Sequence, residues 1–348
     1  MGMIIMSGTG CRHMEWERNS GSPFGVLAFL SWNHSWNRYH YEDEQDIRRA
    51  VKLMSEAGVG FVRMDFYWEY IEPQQGDFRF RYYDTIVRIL KQHNIRIVGM
   101  LHYSAQWASS CGEWNCAPKD NRLFVNYATR VIERYRGRVK HWEVWNEPDS
   151  HLYWKPQDGL KGYTGLLKEV YRAAKRVDPE CVILNGGLSK GLSSVNRLYD
   201  NGAGEYFDVL NIHIFESPVT NPAALKTAIA YAERAYAVMS RRGDAGKRIW
   251  ITEMGIPGVD PALGVRDWWA GRNPTEEEQA QWVKDIYSAL TDYPCVEKIF
   301  WAFYRDTDRH WNDGADYLGL IRRDFSLKPA YKAYQWCYRQ WLKKKQIP

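Results

Sequence analysis

The chain has 348 residues, of which 45% are hydrophobic and 26% charged, the make-up of a globular protein. The net charge of +5 is dispersed. The one basic run, Lys343-Lys344-Lys345, reads as a solvated tail, so nucleic-acid binding has no support. No apolar run approaches the roughly 18 residues needed to span a membrane.

Length alone permits two domains, but α/β barrels routinely exceed 250 residues as one. Residues 1–20 read as a loosely ordered leader before a single unit over 21–348. Met1–Met6 is too short for a signal-peptide core and lacks a basic lead, which favours the cytoplasm, with secretion the alternative if a signal has been trimmed away. The aromatic content is high, with 17 Trp and 23 Tyr. Much of this fills a core, and the remainder suits a cleft whose flat faces stack on sugar rings.

Short apolar runs then alternate with amphipathic stretches. The run 24–32 precedes a helix over 42–57, which opens on acidic residues and closes at Gly58. Run 60–68 leads to a helix at 81–94, and run 96–104 to one at 120–136. Run 141–147 precedes a helix at 158–177 that Asp178-Pro179 ends. Runs 181–188 and 207–215 lead to helices at 192–201 and 222–242. Run 248–255 precedes a helix at 275–291, opened by a capping box at Thr275 and Glu278 and ended by Tyr293-Pro294. Run 298–304 leads to the last helix, Pro329–Lys345. The runs are rich in Val, Ile, Phe and Trp, as strands covered on both faces should be. Eight strand–helix units without a Ser/Gly/Pro-rich linker predict a single (β/α)8 TIM barrel, an α/β fold.

In such a barrel the chemistry lies at the C-terminal ends of the strands. That rule collects Arg63 and Trp68, His102, Asn146 with Glu147, His213, Glu253 and Trp301. Strand alternation groups Glu143, Trp145 and Glu147 on one side, with Asn211, His213 and Phe215 sharing a side and Ile249, Ile251 and Glu253 another. Glu is rarely buried without a partner. Two of them, Glu147 and Glu253, close apolar strands beside Trp, and that pattern points to paired acid/base work on a sugar.

Trp145-Asn146-Glu147-Pro148 together with Trp250-Ile251-Thr252-Glu253 resembles the clan A glycoside hydrolases, which are retaining enzymes on this barrel. The stretch Ala57 to Asp65, the stretch Trp68 to Pro73, and Tyr331 narrow the resemblance to family 39 and its single-domain bacterial relatives that act on exopolysaccharides. It covers residues 22–340. The resemblance implies a retaining β-glycoside hydrolase acting on an oligo- or polysaccharide, with Glu147 as acid/base and Glu253 as nucleophile. No cofactor and no metal is implied. Glu147 must hold a proton, which apolar neighbours such as Trp145 favour. Glu253 must stay ionised, and Arg63 is the natural cation to keep it so. Asn146 is suited to a sugar 2-hydroxyl, and His102 and His213 to sugar hydroxyls or to orienting the carboxylates. Trp301 would floor the pocket. Trp68, Trp107, Trp114, Trp268 and Trp269 are rim candidates for sugar stacking. Glu143, one strand step below Glu147, suits a buried partner of Arg63 or Arg96.

The chain also departs from the family. Relatives place a Tyr late on strand six where this chain has His213-Ile214-Phe215. Tyr304 and Tyr103 are the candidate substitutes. Family 39 xylosidases carry an extra β-domain for which this length leaves no room.

Two other function classes remain at this stage. Gly187-Leu188-Ser189-Lys190-Gly191 matches the G-x-S-x-G elbow of a serine esterase, with Asp208 and His213 or His310 as partners for Ser189. A carbohydrate-binding barrel without turnover is the other. The loop 306–314 resembles a calcium loop but lacks the bidentate Glu, and reads as a solvated rim loop. Six Cys show no C-x-x-C spacing, which disfavours zinc. Cys181 and Cys295 read as buried thiols. Cys111 and Cys116 are close enough to bridge, although free thiols are expected where no secretion signal is seen.

Overall fold

The computed structural model describes residues 21–268 and 271–345. The expected leader at 1–20 and Trp269 lie outside the described residues. Eight parallel strands close a barrel in sequence order. They are β1 (Phe24–Leu27), β2 (Phe61–Tyr67), β3 (Arg96–His102), β4 (His141–Val144), β5 (Val182–Asn185), β6 (Val209–Ile214), β7 (Arg248–Met254) and β8 (Val296–Ala302). Outside them run α1 (Glu44–Ala57), α2 (Trp68–Ile71), α3 (Arg81–Gln92), α4 (Asn121–Tyr135), α5 (Lys161–Val177), α6 (Leu192–Asp200), α7 (Ala224–Arg241), α8 (Glu276–Leu290) and α9 (Pro329–Lys345). No helix of the described residues is long and apolar enough to cross a membrane.

The local signals act as read. Gly58 caps α1 with a left-handed φ of 88°, and the Thr275–Glu278 capping box opens α8. The short helix α2 is an addition. Strand two ends at Tyr67, and the stretch Trp68 to Pro73 turns outward, tied by buried Glu72, which accepts from Trp68 Nε1 (2.7 Å) and Gly76 N (2.7 Å). Several strands stop short of their apolar runs because the residues beyond them, such as Phe29 and Trp32, are buried by loop packing at the mouth rather than by sheet pairing.

Inward-facing residues stack in layers. Phe61, Val98, Leu184, Val209, Trp250 and Phe300 make one apolar layer. Leu27, Met100 and Ala302 lie above it with Arg63 and Glu143, all buried. The strand-seven alternation expected from sequence is overturned here. Ile249 and Ile251 pack in the helix-facing core, and Trp250 fills the barrel. Register shifts between Ile251 and Met254 reset the strand, so that Glu253 pairs with His213. Strand four also breaks early. Trp145 (φ 69°) and Glu147 (φ 43°) take left-handed backbone that costs non-glycine residues of order 1 kcal/mol or more each. Trp145 therefore points outward, its ring against Trp154 and Phe124.

The loop 306–314 is also not the solvated loop expected. Asp316 is buried and accepts from Thr307 Oγ1 and the His310, Trp311 and Asn312 backbone N–H groups. Asp306 is buried against Lys328. The Asp306 carboxyl is pushed up to about 6, burial outweighing the Lys328 charge. Cys111 and Cys116 are bridged, against the free-thiol expectation. Their loop is closed by the antiparallel pairing of Ser109 with Pro118, which brings the two Cα atoms to 6.0 Å, within bridging reach. Cys181 and Cys295 are buried.

The apolar layer admits no added volume. A Cβ on Gly25 would lie 2.4 Å from the fully buried Phe300 ring. Gly25→Val should lower the unfolding free energy by about 1–3 kcal/mol in urea titration. An unchanged midpoint would mean that the layer is looser than described.

Candidate active site

The mouth is built around Arg63, fully buried on β2. Its Nε and Nη2 donate to the two oxygens of Glu143 (2.6 and 2.8 Å). Nη2 also donates to Asn146 Oδ1 (2.8 Å), and Nη1 donates to Glu253. Burial opposes the guanidinium charge, but Glu143 and Glu253 outweigh it and raise its pKa above the ordinary value. Glu143 also accepts from Gly187 N (3.0 Å), so the fork joins β2, β4, β7 and the segment that follows β5. Of the two cations expected for Glu143, Arg63 is the partner. Arg96 lies instead over the Phe61 ring.

Glu147 stands across the mouth from this fork. His213 Nδ1 lies 2.8 Å from Glu147 Oε1 and 3.8 Å from Glu253 Oε2. One donor atom from each of Glu147, His213 and Glu253 lies within 4.8 Å of the others. Burial disfavours a charged His213, as does Arg63, but the Glu253 charge and the Glu147 hydrogen bond and charge prevail, and its pKa is raised. The carboxylate side chains keep 13% and 12% exposure, so both reach the cavity while the histidine does not.

Asn146 is fixed at both ends. Its oxygen accepts from Arg63, and Nδ2 donates to the Tyr103 hydroxyl (3.0 Å), leaving one N–H for another acceptor. His102 is buried beside Tyr103, with Nε2 2.7 Å from Asp65 Oδ1 but without hydrogen-bond alignment. Asp65 also accepts from Trp32 Nε1 (2.9 Å).

Four sequence candidates are not brought to the cluster. Trp301 is fully buried on the helix side and donates to Leu318 O (2.8 Å), so it floors no open pocket. Tyr304 is fully buried, packed in the helix-side core, and cannot replace the missing strand-six hydroxyl. Trp107 is half-buried and spends its N–H on Glu72 O (2.8 Å). Trp68 is likewise buried rather than a sugar face. Phe215 packs edge-on against Trp268, and the Tyr103 hydroxyl accepts from Asn146 Nδ2, a bond that does not use its own proton.

Several mouth residues were not read from sequence. Phe303 stacks on Trp311 (4.9 Å), and Phe29 on Trp32 (3.8 Å), forming an aromatic wall with Trp36 exposed at its edge. Tyr153 stands on the opposite side, parallel to Tyr103, where burial first and the Glu147 and Glu253 charges next raise its pKa. Its place in a loop after β4, without strand periodicity, gave no signal.

The esterase constellation is not assembled. Ser189 N and Oγ bind Asp149. His213 is committed to Glu147 and Thr252. Asp208 precedes β6, at the other end of the barrel, with Tyr171 and Lys175. His310 packs on Trp32. Of the two residue sets that could hold a metal among the described residues, Cys111, Glu113 and Cys116 lose both thiolates to the disulfide. In the other, the Arg63 guanidinium already occupies Glu253. The groove on the outer surface between α3 and α4, lined by Phe78, Phe80, Arg88 and Arg134, shares no residue with this cluster.

A closed eight-stranded parallel barrel with Asn-Glu after β4 and a facing Glu on β7 is the arrangement of the clan A glycoside hydrolases. The sequence profile of Glycosyl hydrolase family 10 matches residues 54–185. The chain is 29% identical over 341 residues to "Endo-1,4-beta-xylanase B" of Humicola insolens, covering 84% of this chain and 88% of the relative. It is 31% identical over 132 residues to "Phospho-cellobiase" of Klebsiella oxytoca, covering 35% of this chain and 28% of that protein. In fold it is similar to a family 39 glycoside hydrolase from Bacteroides cellulosilyticus WH2, with TM-score 0.72 and 21% identity over 91% of this chain and 63% of that one.

Two outcomes test the electrostatics. Arg63→Met strands two buried carboxylates and should cost about 3–5 kcal/mol of stability, partly recovered in Arg63→Met/Glu143→Met. An inert Arg63→Met would dismiss the fork. Because the folded His213 pKa is raised, its charge stabilises the fold fully below about pH 6.5, and this is lost as pH rises through the folded value. The stability gap between the native chain and His213→Gln should therefore narrow as pH is raised above about 6.5. A gap that widens would contradict the sign.

Proposed function

We propose that the protein is a retaining β-glycoside hydrolase that cleaves a β-linked oligo- or polysaccharide. The carrying observation is that one carboxylate oxygen of Glu147 lies within 4.8 Å of one of Glu253. Retaining enzymes hold their carboxyls about 5–5.5 Å apart, whereas inverting ones leave about 6.5 Å or more for a water. The relatives above support the same reading, and the xylanase makes a β-1,4-linked xylan a first substrate to try.

Glu253 attacks the anomeric carbon as Glu147 protonates the departing oxygen. The C–O bond breaks, and a glycosyl ester forms on Glu253. Glu147, now a carboxylate, takes a proton from water. The resulting hydroxide adds to the anomeric carbon and frees Glu253. Arg63 pairs with Glu253 and orients it for attack. The remaining Asn146 N–H is placed to donate to a 2-hydroxyl, a bond that tightens as positive charge develops on the ring. Tyr153 offers the phenol that Phe215 lacks. Phe303, rather than Trp301, offers the aromatic face. The Cys111–Cys116 bridge suits an oxidising compartment.

A 2-deoxy-2-fluoro glycosyl fluoride should inactivate the enzyme, and the peptide carrying Glu253 should gain the sugar mass. Glu147→Gln should lose about 10²–10⁴-fold on poor leaving groups while sparing activated aryl glycosides. No labelling and no hydrolysis across xylan, other polysaccharides and aryl β-glycosides would favour the binding barrel without turnover. Labelling of Ser189 by a fluorophosphonate would revive the esterase.

A further inference from the structure

Below His213 a chain of hydrogen bonds runs through three strands. The Asn185 amide is oriented by backbone. Its Oδ1 accepts from Asn211 N (2.8 Å), and Nδ2 donates to Gly186 O and Asn211 O (2.8 and 2.9 Å). Asn211 Nδ2 donates to Asn185 O (3.1 Å). A carbonyl only accepts, so the Asn211 amide cannot turn over, and its Oδ1 must face Thr252. The Thr252 hydroxyl donates to that oxygen (2.7 Å). Its single proton is thereby spent. Towards His213 Nε2, 3.1 Å away, Thr252 Oγ1 can only accept. The neutral ring must then carry its proton on Nε2 and turn a bare Nδ1 to Glu147. Asn185, Asn211 and Thr252 are all fully buried, so no water competes for these bonds.

The 2.8 Å contact between Nδ1 and Glu147 Oε1 requires one proton between them. Either Glu147 is the acid and Nδ1 accepts, or the ring is cationic and Nδ1 donates. The surrounding charges favour keeping that proton. Glu143 and Glu253 face a single Arg63, and Glu147 adds a third carboxyl to the same mouth. Of these groups, Glu253, Glu147 and Arg63 act directly on the ring charge. Past the end of β5 the ring faces Gly187, where a Cβ would fall 1.9 Å from His213 Nε2, so its absence makes room for the ring.

We propose that Thr252, held by Asn211 and Asn185, is a positioning residue that fixes the His213 tautomer, so that His213 and Glu147 together retain the proton that acid catalysis consumes. This rests on the reading of Glu147 as acid/base. When Glu147 gives its proton to the leaving oxygen, its carboxylate is left facing the Nδ1 lone pair. That repulsion favours taking a proton from the incoming water, which restores the O–H to Nδ1 bond. The raised His213 pKa agrees with a pair that holds on to its proton.

The test compares Thr252→Val, which keeps the shape, with Thr252→Ser, which keeps the hydroxyl. Without the hydroxyl, Nδ1–H becomes available to bind Glu147 as a carboxylate. For an unactivated β-glycoside, the alkaline limb of kcat/KM in Thr252→Val should move down by about one pH unit, a loss of about tenfold above the limb. A 2,4-dinitrophenyl glycoside, which needs no acid, should be cleaved within about twofold of the native rate. Thr252→Ser should restore the native profile. An unmoved limb, equal losses on both substrates, or no rescue by serine overturns the proposal.

Nitrogen-15 spectra of the His213 ring, assigned by loss of its signals in His213→Gln, read the tautomer without any substrate. Native protein should show Nε2 protonated in the neutral ring, and Thr252→Val a shift towards Nδ1. A protonated Nε2 in a protein that cleaves no glycoside upholds the lock and removes the assigned reaction. An unprotonated Nε2 in an active enzyme removes the lock and spares the reaction.

Discussion

One buried guanidinium organises the mouth of this barrel. Arg63 holds Glu143 with two nitrogens and reaches Asn146 and Glu253 with the same planar group. Burying three such charges is a poor way to gain stability, since apolar side chains of similar volume do as well or better. The arrangement makes sense as electrostatic preparation. Glu143 offsets the Arg63 charge from below, and the guanidinium also pairs with Glu253 at the edge of the cavity. The geometry a lysine could not reproduce is the fork itself, which addresses three acceptors on two strands and one loop at once.

Regular strands could not deliver the two outer carboxyls to one place. The register shift in β7 turns Glu253 into the mouth from a strand whose neighbours Ile249 and Ile251 pack outward. The left-handed residues after β4 turn Trp145 away and bring Glu147 back. Each irregularity costs something locally. Surrounding bonds hold it, including Trp145 N to Leu101 O (2.9 Å) and Ser150 N to Glu147 O (3.0 Å). The closely packed layer of Phe61, Trp250 and Phe300 beneath gives the mouth a rigid base.

Much of the architecture was legible in the sequence because eight apolar runs alternate with amphipathic helices, and caps such as Gly58 and Thr275 obey local rules. The gathering of Arg63, Asn146, Glu147, His213 and Glu253 was legible because strand ends in a barrel share one rim. What failed did so where period-two reasoning met irregular backbone. Trp301, within β8, and Tyr304, two residues past its end, were both assigned to the mouth, and both face the helices. Tyr153, Phe303 and Trp311 stand in loops, where no periodicity marks a direction. The Cys111–Cys116 bridge depends on the pairing of Ser109 with Pro118, which spacing alone does not reveal.

The central claim is that two carboxyls with an oxygen of each within 4.8 Å leave no room for a water opposite the leaving group. Proton NMR of the sugar first released from a β-glycoside, recorded before mutarotation, tests it most directly. The account requires the β-anomer to appear first. First formation of the α-anomer would contradict it.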